Sequence, residues 1–313
     1  MPIDGSAIPP TVPDVPLYLL YPLGAAIVYA LGSILIKRAL REGVTMDQSF
    51  HLTNFVVGII FLPLLFFEKG EVDWARWWQP VVMGFTFFLG TWLTFVGIRR
   101  GDVSMVTPIM GTKVVFVALA SVALTGRSPS SALWIASMLT AGGIFVMGVA
   151  DFHHGRHLWF TVGVTLASAA MFGICDVLVS WWSPGFGAPT FLALGSFAVG
   201  LISLVVWGLQ KRPSLRLPEE GRSWAWWGAV SIGLQAIAMG VGLSFYDDPT
   251  GINVMYASRG LWVIVLVVVL GSALGNSEHL EKGRAFLWRV AGTLMLTAAI
   301  IIAVVDRANA FSP

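Results

Sequence analysis

Long apolar stretches, separated by short polar segments, run along most of this 313-residue chain. An α-helix needs about 20 predominantly apolar residues to cross a bilayer, so each stretch of that length predicts a membrane span. Ten such stretches lie at 17–36, 49–67, 78–98, 103–125, 131–150, 159–180, 188–209, 224–245, 250–273 and 285–305. No segment between them exceeds about 15 residues, which is too short for a soluble domain of at least ~50 residues. Any function must therefore be built inside the helix bundle.

The composition supports the same conclusion. Hydrophobic residues make up 56% of the chain and charged residues 12%, whereas soluble domains carry roughly 25% charged residues. We expect an all-α, multi-pass integral membrane protein in the inner membrane of a bacterium. The net charge of +2 gives no signal for a nucleic-acid partner, so the expected partners are the lipid bilayer and a small-molecule substrate. The single cysteine, Cys175, excludes an intramolecular disulfide and a multi-cysteine metal site, and no cofactor is expected.

Matching positions indicate that the chain contains two copies of one five-span unit. The matched sets are Trp77, Trp78 and Gly84 with Trp226, Trp227 and Gly233 (149 positions apart), Phe55–Gly58 with Phe197–Gly200, Asp102 and Lys113 with Asp248 and Arg259 (146 positions apart), and Asp151 with Asp306. An odd number of spans places the second copy in the membrane upside down, which is the inverted-repeat architecture of many secondary transporters.

The repeat predicts the organisation of the chain. It consists of an N-terminal tail (1–16), a first five-helix repeat (17–150), a connecting loop (151–158), a second five-helix repeat (159–306) and a C-terminal tail (307–313).

Three short motifs carry a resemblance to a known family. They are Tyr29-Ala-Leu-Gly in the first span, Thr140-Ala-Gly-Gly143 in the fifth and Thr297-Ala-Ala299 in the tenth. With the five-plus-five repeat, they resemble the drug/metabolite transporter superfamily, specifically its EamA-type members. The resemblance implies ten transmembrane helices and transport rather than catalysis. The chain departs from the family in lacking the mid-helix proline of the ninth span, where Arg259 stands, and in reading Gly126-Arg127 and Gly271-Ser272 where Gly-Glu is usual. These departures indicate a specialised branch.

Three charged residues lie deep inside predicted spans: Lys113, Arg259 and Asp176. A charge at the centre of a membrane helix costs about 2.5 to 3.5 kcal/mol, and both cations are too deep to reach an interface. One interpretation is that the two cations face a central cavity and bind the anionic group of a substrate. The other is that each pairs with a carboxylate and locks the bundle. Asp176 is the only interior acid, so one cation is left for an anion to neutralise.

The roles of two of these groups stay open. Lys113 is either a charged ligand or, if burial keeps it neutral, a proton carrier. Asp176 is either a counter-ion or a proton-coupling carboxylate. Arg259 suits a carboxylate or a phosphate, because its planar guanidinium can bind either group with two parallel hydrogen bonds. A further resemblance, to the plastid sugar-phosphate translocators of the same superfamily, implies that basic residues of the fourth and ninth spans hold the anionic group.

Further candidate ligands are polar or aromatic residues at mid-membrane depth. They are Tyr256 and Trp262 in the ninth span, Trp92 in the third, Asn54 in the second and Gln235 in the eighth. Each has an ordinary alternative, since aromatic residues often serve packing and single polar groups often bond neighbouring helices. The run His153-His154-Gly-Arg-His157 suggests zinc at first sight, but it lies in the short loop between the repeats and is expected to be solvated.

Two arguments about the orientation of the chain in the membrane disagree. Of the 17 basic residues other than Lys113 and Arg259, 13 lie on the side of the odd-numbered loops and four on the side of both termini. The positive-inside rule then places the termini outside the cytoplasm, whereas the family resemblance implies termini in the cytoplasm.

The sequence favours a secondary transporter that moves a small anionic or zwitterionic metabolite by alternating access. It contains no nucleotide-binding Gly-x-x-x-x-Gly-Lys-Ser/Thr motif, so the driving force would come from a proton or a counter-substrate. The alternative is a lipid or lipid-phosphate flippase that uses the same cationic pair. A membrane-embedded enzyme would need converging acids, histidines or a metal motif, and is not expected. Both a monomer and a homodimer are compatible with the sequence.

Overall fold

The computed structural model describes residues 16–100, 106, 109–149, 158–210, 214–270 and 284–311. Within this part of the chain the regular structure is helical, without strands. The α-helices are α1 (Leu20–Arg41), α2 (Met46–Ile60), α3 (Trp78–Arg100), α4 (Lys113–Ala120), α5 (Ser131–Val149), α6 (Leu158–Phe186), α7 (Ala188–Leu209), α8 (Glu219–Phe245), α9 (Pro249–Tyr256), α10 (Arg259–Leu270) and α11 (Arg284–Phe311).

Seven helical segments in the described residues are long and apolar enough to cross a membrane. They are Leu17–Arg41, Met46–Phe67, Trp74–Arg99, Trp159–Phe186, Ala188–Leu209, Glu219–Phe245 and Val290–Ala310. Two shorter apolar helices, Lys113–Thr125 and Ser131–Met147, accompany them. Large apolar side chains on the outside, such as Phe66, Phe85 and Val269, are exposed in the isolated chain. The protein is therefore an integral, multi-pass membrane protein whose outer surface faces lipid.

Local sequence explains where α2 begins. Thr45 precedes the helix, and its hydroxyl accepts a hydrogen bond from the Gln48 backbone N–H at 3.2 Å, while the Gln48 side-chain carbonyl accepts from the Thr45 N–H at 2.8 Å. This reciprocal capping box satisfies two backbone donors that a helix start leaves unpaired. The Gln48 side chain also donates to the carbonyls of Ser214 and Arg216. The start of α2 is thereby tied to the segment that precedes α8.

The predicted spans 103–125 and 250–273 both contain an interruption. A turn at Gly111 and Thr112 precedes α4, and a turn at Ala257 and Ser258 separates α9 from α10. At both places the backbone tightens to bonds between residues three apart, as in Thr112 N–H to Ile109 C=O at 3.0 Å and Ser258 N–H to Met255 C=O at 3.1 Å. Glycine and threonine have low helix propensity, and the Thr112 hydroxyl bonds the Ile109 carbonyl at 2.6 Å, which competes with the regular helix.

The helices pack in pairs that repeat between the two halves of the chain. Three pairs of contacts show this. The first pair is α1 with α8 and α3 with α6, the second is α2 with α8 and α3 with α7, and the third is α4 with α6 and α1 with α10. Two further contacts join α2 to α7 and α5 to α11. Small residues permit the closest approaches: a Cβ placed on Gly143 of α5 would lie 2.9 Å from the Gly292 carbonyl oxygen of α11. Such contacts between small residues are typical of membrane helix interfaces.

Candidate functional site

A buried ion pair joins α4 to α6 in the interior of the bundle. Lys113 Nζ lies 2.7 Å from Asp176 Oδ2, and the two residues are only 8% and 9% exposed. Lys113 is the first residue of α4. The interruption at Gly111 and Thr112 therefore determines where α4 begins and so where the Lys113 side chain lies. Asp176 therefore forms an ion pair with Lys113.

Asn253 of α9 also forms a hydrogen bond with Asp176. Its side-chain amide donates to Asp176 Oδ2 at 2.8 Å and to the Pro249 carbonyl at 3.0 Å. The residue is 1% exposed, and its Oδ1 has no hydrogen-bond partner among the described residues. A buried acceptor without a partner is costly, so this oxygen is positioned for a donor that the described protein atoms do not supply.

Arg259 lies against aromatic rings rather than against a carboxylate. Its guanidinium carbon is 4.5 Å from the ring centre of Tyr256 and 5.3 Å from that of Tyr29. Among the described residues, no acidic side chain forms a salt bridge with it. Stacking on aromatic faces holds a guanidinium in place but leaves its charge formally uncompensated.

Tyr256 links the two cations. Lys113 Nζ lies 5.6 Å from the same ring centre, and the Tyr256 hydroxyl donates to Gln235 Oε1 at 2.9 Å. We call Lys113, Asp176, Asn253, Tyr256 and Arg259 the central cluster. It carries two positive charges and one negative charge, so within the described residues it has a surplus of one positive charge.

The structure gathers some of the candidate ligands and separates others. Lys113, Arg259, Tyr256, Gln235 and Asp176 are joined by the contacts above, and Trp262 packs against the hydrophobic cluster that contains Tyr256.

Trp92 and Asn54 have other neighbours. Trp92 lines a cavity of about 500 Å³ with Arg99 and Gln210. Asn54 donates to the Ser203 hydroxyl at 3.4 Å in the contact between α2 and α7.

Two aromatic neighbours of the cations were not among the predicted ligands. Tyr29 of α1 packs edge-on against Tyr256, with ring centres 6.0 Å apart, and Phe172 of α6 lies 5.8 Å from Lys113 Nζ. Tyr29 belongs to the motif that carries the family resemblance, and a mid-membrane tyrosine hydroxyl is a signal that could have drawn attention to it. Phe172 gives no such signal, because phenylalanine is common throughout the spans.

A large cavity opens at the end of the bundle that carries the α2–α3, α4–α5, α6–α7 and α8–α9 connections. It measures about 1160 Å³ and is lined by both charged and hydroxyl groups, including Ser121, Ser180, Asp247, Thr250 and Arg307. We call it the vestibule. Ser180 follows Asp176 by one helical turn, and Thr250 precedes Asn253 by one turn, a separation of about 5 Å along each helix axis. The vestibule therefore reaches to within about a turn of the central cluster.

A buried polar network borders the vestibule. The Tyr18 hydroxyl donates to Asp248 Oδ2 at 2.6 Å, and Arg307 Nε lies 3.1 Å from the same oxygen. Asp248 Oδ1 accepts from the Gly251 N–H and so caps the start of α9. The sequence places Asp248 and Arg307 at span ends, yet Asp248 is only 7% exposed, because the chain folds both the first turn of the bundle and α11 over it.

Several predicted features lie outside the described residues. They are Asp102, Asp151, the histidine run His153–His157 and the Gly271-Ser272 pair. Within the described part of the chain, no group of three or more His, Cys, Asp or Glu side chains is placed to hold a metal ion.

The fold and the central cluster define a class of protein: a helical multi-pass membrane protein with buried, opposed charges in its interior. Residues 16–149 match the EamA-like transporter family, which lies within the drug/metabolite transporter superfamily. This match confirms the EamA-type resemblance over residues 16–149. The family is one of transporters rather than enzymes.

The solved structures support the same fold. One of them, described only as the crystal structure of a protein, superposes with a TM-score of 0.73 at 13% sequence identity. The alignment covers 92% of this chain and 98% of that one. At this identity the similarity extends to the fold alone. A search of curated protein sequences gave no match.

Proposed function

We propose that the protein is a secondary transporter that moves a small anionic or zwitterionic metabolite across the membrane by alternating access. The observation that carries the proposal is the environment of Arg259, whose guanidinium contacts the rings of Tyr29 and Tyr256 and has no carboxylate partner in the described chain. A cation inside a membrane span is unfavourable unless a partner compensates its charge. A bound anion is such a partner.

The two cations have different roles in this proposal. Lys113 is neutralised by Asp176 at 2.7 Å, whereas Arg259 is available. The guanidinium presents parallel N–H donors that fit a carboxylate or a phosphate, while the lysine ammonium acts as a point charge. Arg259 therefore holds the anionic group, and Lys113 adjusts the charge of the site. Tyr256, Gln235 and Trp262 form its wall.

We further propose that the two halves are an inverted repeat of five spans each. Three pairs of helix contacts support this, because exchanging the two halves converts α1–α8 into α3–α6, α2–α8 into α3–α7, and α4–α6 into α1–α10. Gly58 and Gly200, which correspond in sequence, also meet: a Cβ on Gly58 would lie 3.1 Å from Gly200 Cα. Equivalent residues touch each other where they lie close to a two-fold axis.

The interrupted helices support a site at this position. In many secondary transporters the substrate binds near the bilayer midplane, at helices whose regular structure is broken. Lys113 and Arg259 each begin a helical segment directly after such a break. The start of a helix carries a partial positive charge, so both cations stand where the backbone also favours an anion.

Transport of radiolabelled anions into proteoliposomes tests the proposal. A first screen of purified protein with carboxylates, amino acids, sugar phosphates and nucleotides identifies compounds that raise its thermal stability, since a ligand of the folded state does so. Exchange of the stabilising compound should be lost in Arg259→Ala. Arg99→Ala is the matched control, because Arg99 is exposed and forms only a 3.5 Å contact with Asp47. Full exchange by a folded Arg259→Ala variant would contradict the proposal.

The same experiment addresses related predictions. Imposing a proton gradient or loading the vesicles with a counter-substrate distinguishes the two expected driving forces. The flippase alternative stays a prediction; it requires that the protein translocate a fluorescent phospholipid in the same vesicles.

We also propose a bacterial inner-membrane location and either a monomeric or a homodimeric state.

A further inference from the structure

The balance of charge around Asp176 is set by few groups. Lys113 faces it from α4, and Asn253 and Tyr256 face it from α9. Arg259 and Tyr29 adjoin Tyr256, and Cys175 precedes Asp176 on α6. Three other helices that pack on α6, namely α3, α7 and α8, carry charged residues only in their terminal four positions or not at all. Among the described residues, the charge of the site therefore depends on Lys113, Arg259 and Asp176.

Asp176 is placed to exchange one partner for another. A single oxygen, Oδ2, accepts from both Lys113 and Asn253 at 2.7 and 2.8 Å. A dianion that draws Lys113 towards itself removes one of these two donors from the carboxylate and leaves the site with one excess negative charge. Protonation of the carboxylate would then neutralise that charge. The unpartnered Asn253 Oδ1 lies on the same amide and could accept the new O–H after rotation of that amide.

We propose that the central cluster selects its substrate by net charge, and that Asp176 adjusts this selection by taking up a proton. This inference rests on the proposed function. With Lys113, Arg259 and ionised Asp176, the empty site has a charge of plus one. A substrate with one net negative charge makes the site neutral, so it is the preferred class. A dianion makes the site neutral only if Asp176 takes up one proton, whereas a zwitterion leaves the surplus charge in place.

The vestibule provides a route for that proton. Ser180 and Thr250 line the cavity and lie one helical turn from Asp176 and Asn253, respectively. Both residues are buried, at 8% and 2% exposure, and their hydroxyls can donate and accept hydrogen bonds. The proton comes from vestibule water and is bound by Asp176; no other bond is made or broken.

Three probes of similar chemistry but different charge test the proposal: taurine (zwitterion), methanesulfonate (monoanion) and sulfate (dianion). Calorimetric titration of the purified protein in two buffers of different ionisation enthalpy gives both the affinity and the number of protons taken up. The wild-type protein should bind methanesulfonate most tightly and without proton uptake. Sulfate should bind with uptake of about one proton, and more weakly as the pH rises.

Two variants change the charge of the site in a known way. Asp176→Asn raises it to plus two, so sulfate should bind without proton uptake and gain about tenfold or more in affinity relative to methanesulfonate. The double variant Lys113→Gln/Asp176→Asn restores plus one without a titrating carboxylate. It should prefer methanesulfonate again and take up no proton with sulfate. The double variant also serves if Asp176→Asn, which leaves Lys113 unpaired, fails to fold.

Glu219→Gln is the control for the removal of a carboxylate. Glu219 is the exposed first residue of α8 and lies outside the vestibule lining, so this variant should behave as the wild type. The inference is overturned if anions bind to the wild type but proton uptake with sulfate persists in the folded Asp176 variants, or is absent from the wild type. The proposed function itself would fail differently, through anion binding that is unaffected by Arg259→Ala or through the absence of binding by all three probes and the whole screen.

Discussion

At the scale of single residues, the unusual feature is a guanidinium held by aromatic rings. Arg259 is partly exposed in the isolated chain, so a cation–π contact there contributes between about 0.5 and 2 kcal/mol, whereas a charge at the centre of a membrane helix costs about 2.5 to 3.5 kcal/mol. The rings of Tyr29 and Tyr256 therefore position Arg259 without fully compensating its charge. This leaves a free-energy gain for an anion that reaches it.

Two substitutions of Tyr256 distinguish the contribution of its ring, which contacts both cations, from that of its hydroxyl, which forms a hydrogen bond. Tyr256→Phe keeps the ring beneath both cations and loses one bond to Gln235, which contributes about 1 kcal/mol. We expect a loss of anion affinity of less than tenfold. Tyr256→Leu removes the ring and should reduce affinity by more than tenfold, as measured by calorimetric titration of the stabilising anion. Equal effects of the two variants would contradict a positioning role for the ring.

The cations could be identified from the sequence because charged residues are rare in the predicted spans. Lys113, Arg259 and Asp176 stood out as charged residues deep inside predicted spans, and Tyr256 as an aromatic residue at mid-membrane depth. Tyr29 was not predicted as a neighbour of Arg259, because that contact joins two helices more than 200 positions apart in the chain. Asn54 and Trp92 were chosen by the same criterion of depth. Depth does not tell which side of a helix faces the site, and the structure gives both residues other neighbours.

At the scale of helices, the interruptions before Lys113 and Arg259 were not predicted. Hydropathy is averaged over a window of about 19 residues, so a two-residue turn inside an apolar stretch leaves no trace in it. The small and hydroxyl residues at Gly111-Thr112 and Ala257-Ser258 are a weak local signal, since such residues are also common in continuous membrane helices.

Glycine packing between α5 and α11 gives a prediction on stability. The Cβ of Gly143→Val would lie 2.9 Å from the backbone oxygen of Gly292, and backbone cannot move aside as a flexible side chain does. We expect a loss of about 1 to 3 kcal/mol, the usual cost of overpacking, measured as the free energy of unfolding in detergent. Gly163→Val in α6 is the control, because a Cβ there meets no atom within 4 Å. A similar loss in both variants would contradict this explanation.

At the scale of the whole molecule, the proposed repeat is compatible with several contacts between the two halves of the chain. The matched glycines of the second and seventh spans meet in the structure, and the matched cations lie over the same tyrosine ring. The repeat could not predict the vestibule. A cavity at one end distinguishes the two ends of the bundle, and hydropathy and residue spacing contain no signal for which end opens.

The network beside the vestibule connects distant parts of the fold. Asp248 joins Tyr18 at the start of the bundle to Arg307 near its end. Asp248→Asn weakens both contacts, although Asp306 still lies 3.7 Å from Arg307. We expect a loss of about 3 kcal/mol in the free energy of unfolding. Asp247→Asn, which removes an exposed charge, should cost less than about 1 kcal/mol. A larger loss for Asp247→Asn than for Asp248→Asn would contradict the structural role of the network.

The anion dependence of thermal stability in wild-type and Arg259 variants tests the central assignment most directly. Purified wild-type, Arg259→Lys and Arg259→Ala proteins are titrated with the anion that stabilises the wild type most. The expected result is a concentration-dependent rise in unfolding temperature for the wild type, a smaller rise for Arg259→Lys, which keeps the charge but loses the planar fork, and no rise for Arg259→Ala. An undiminished rise in Arg259→Ala would contradict the assignment of Arg259 as the anion-binding residue.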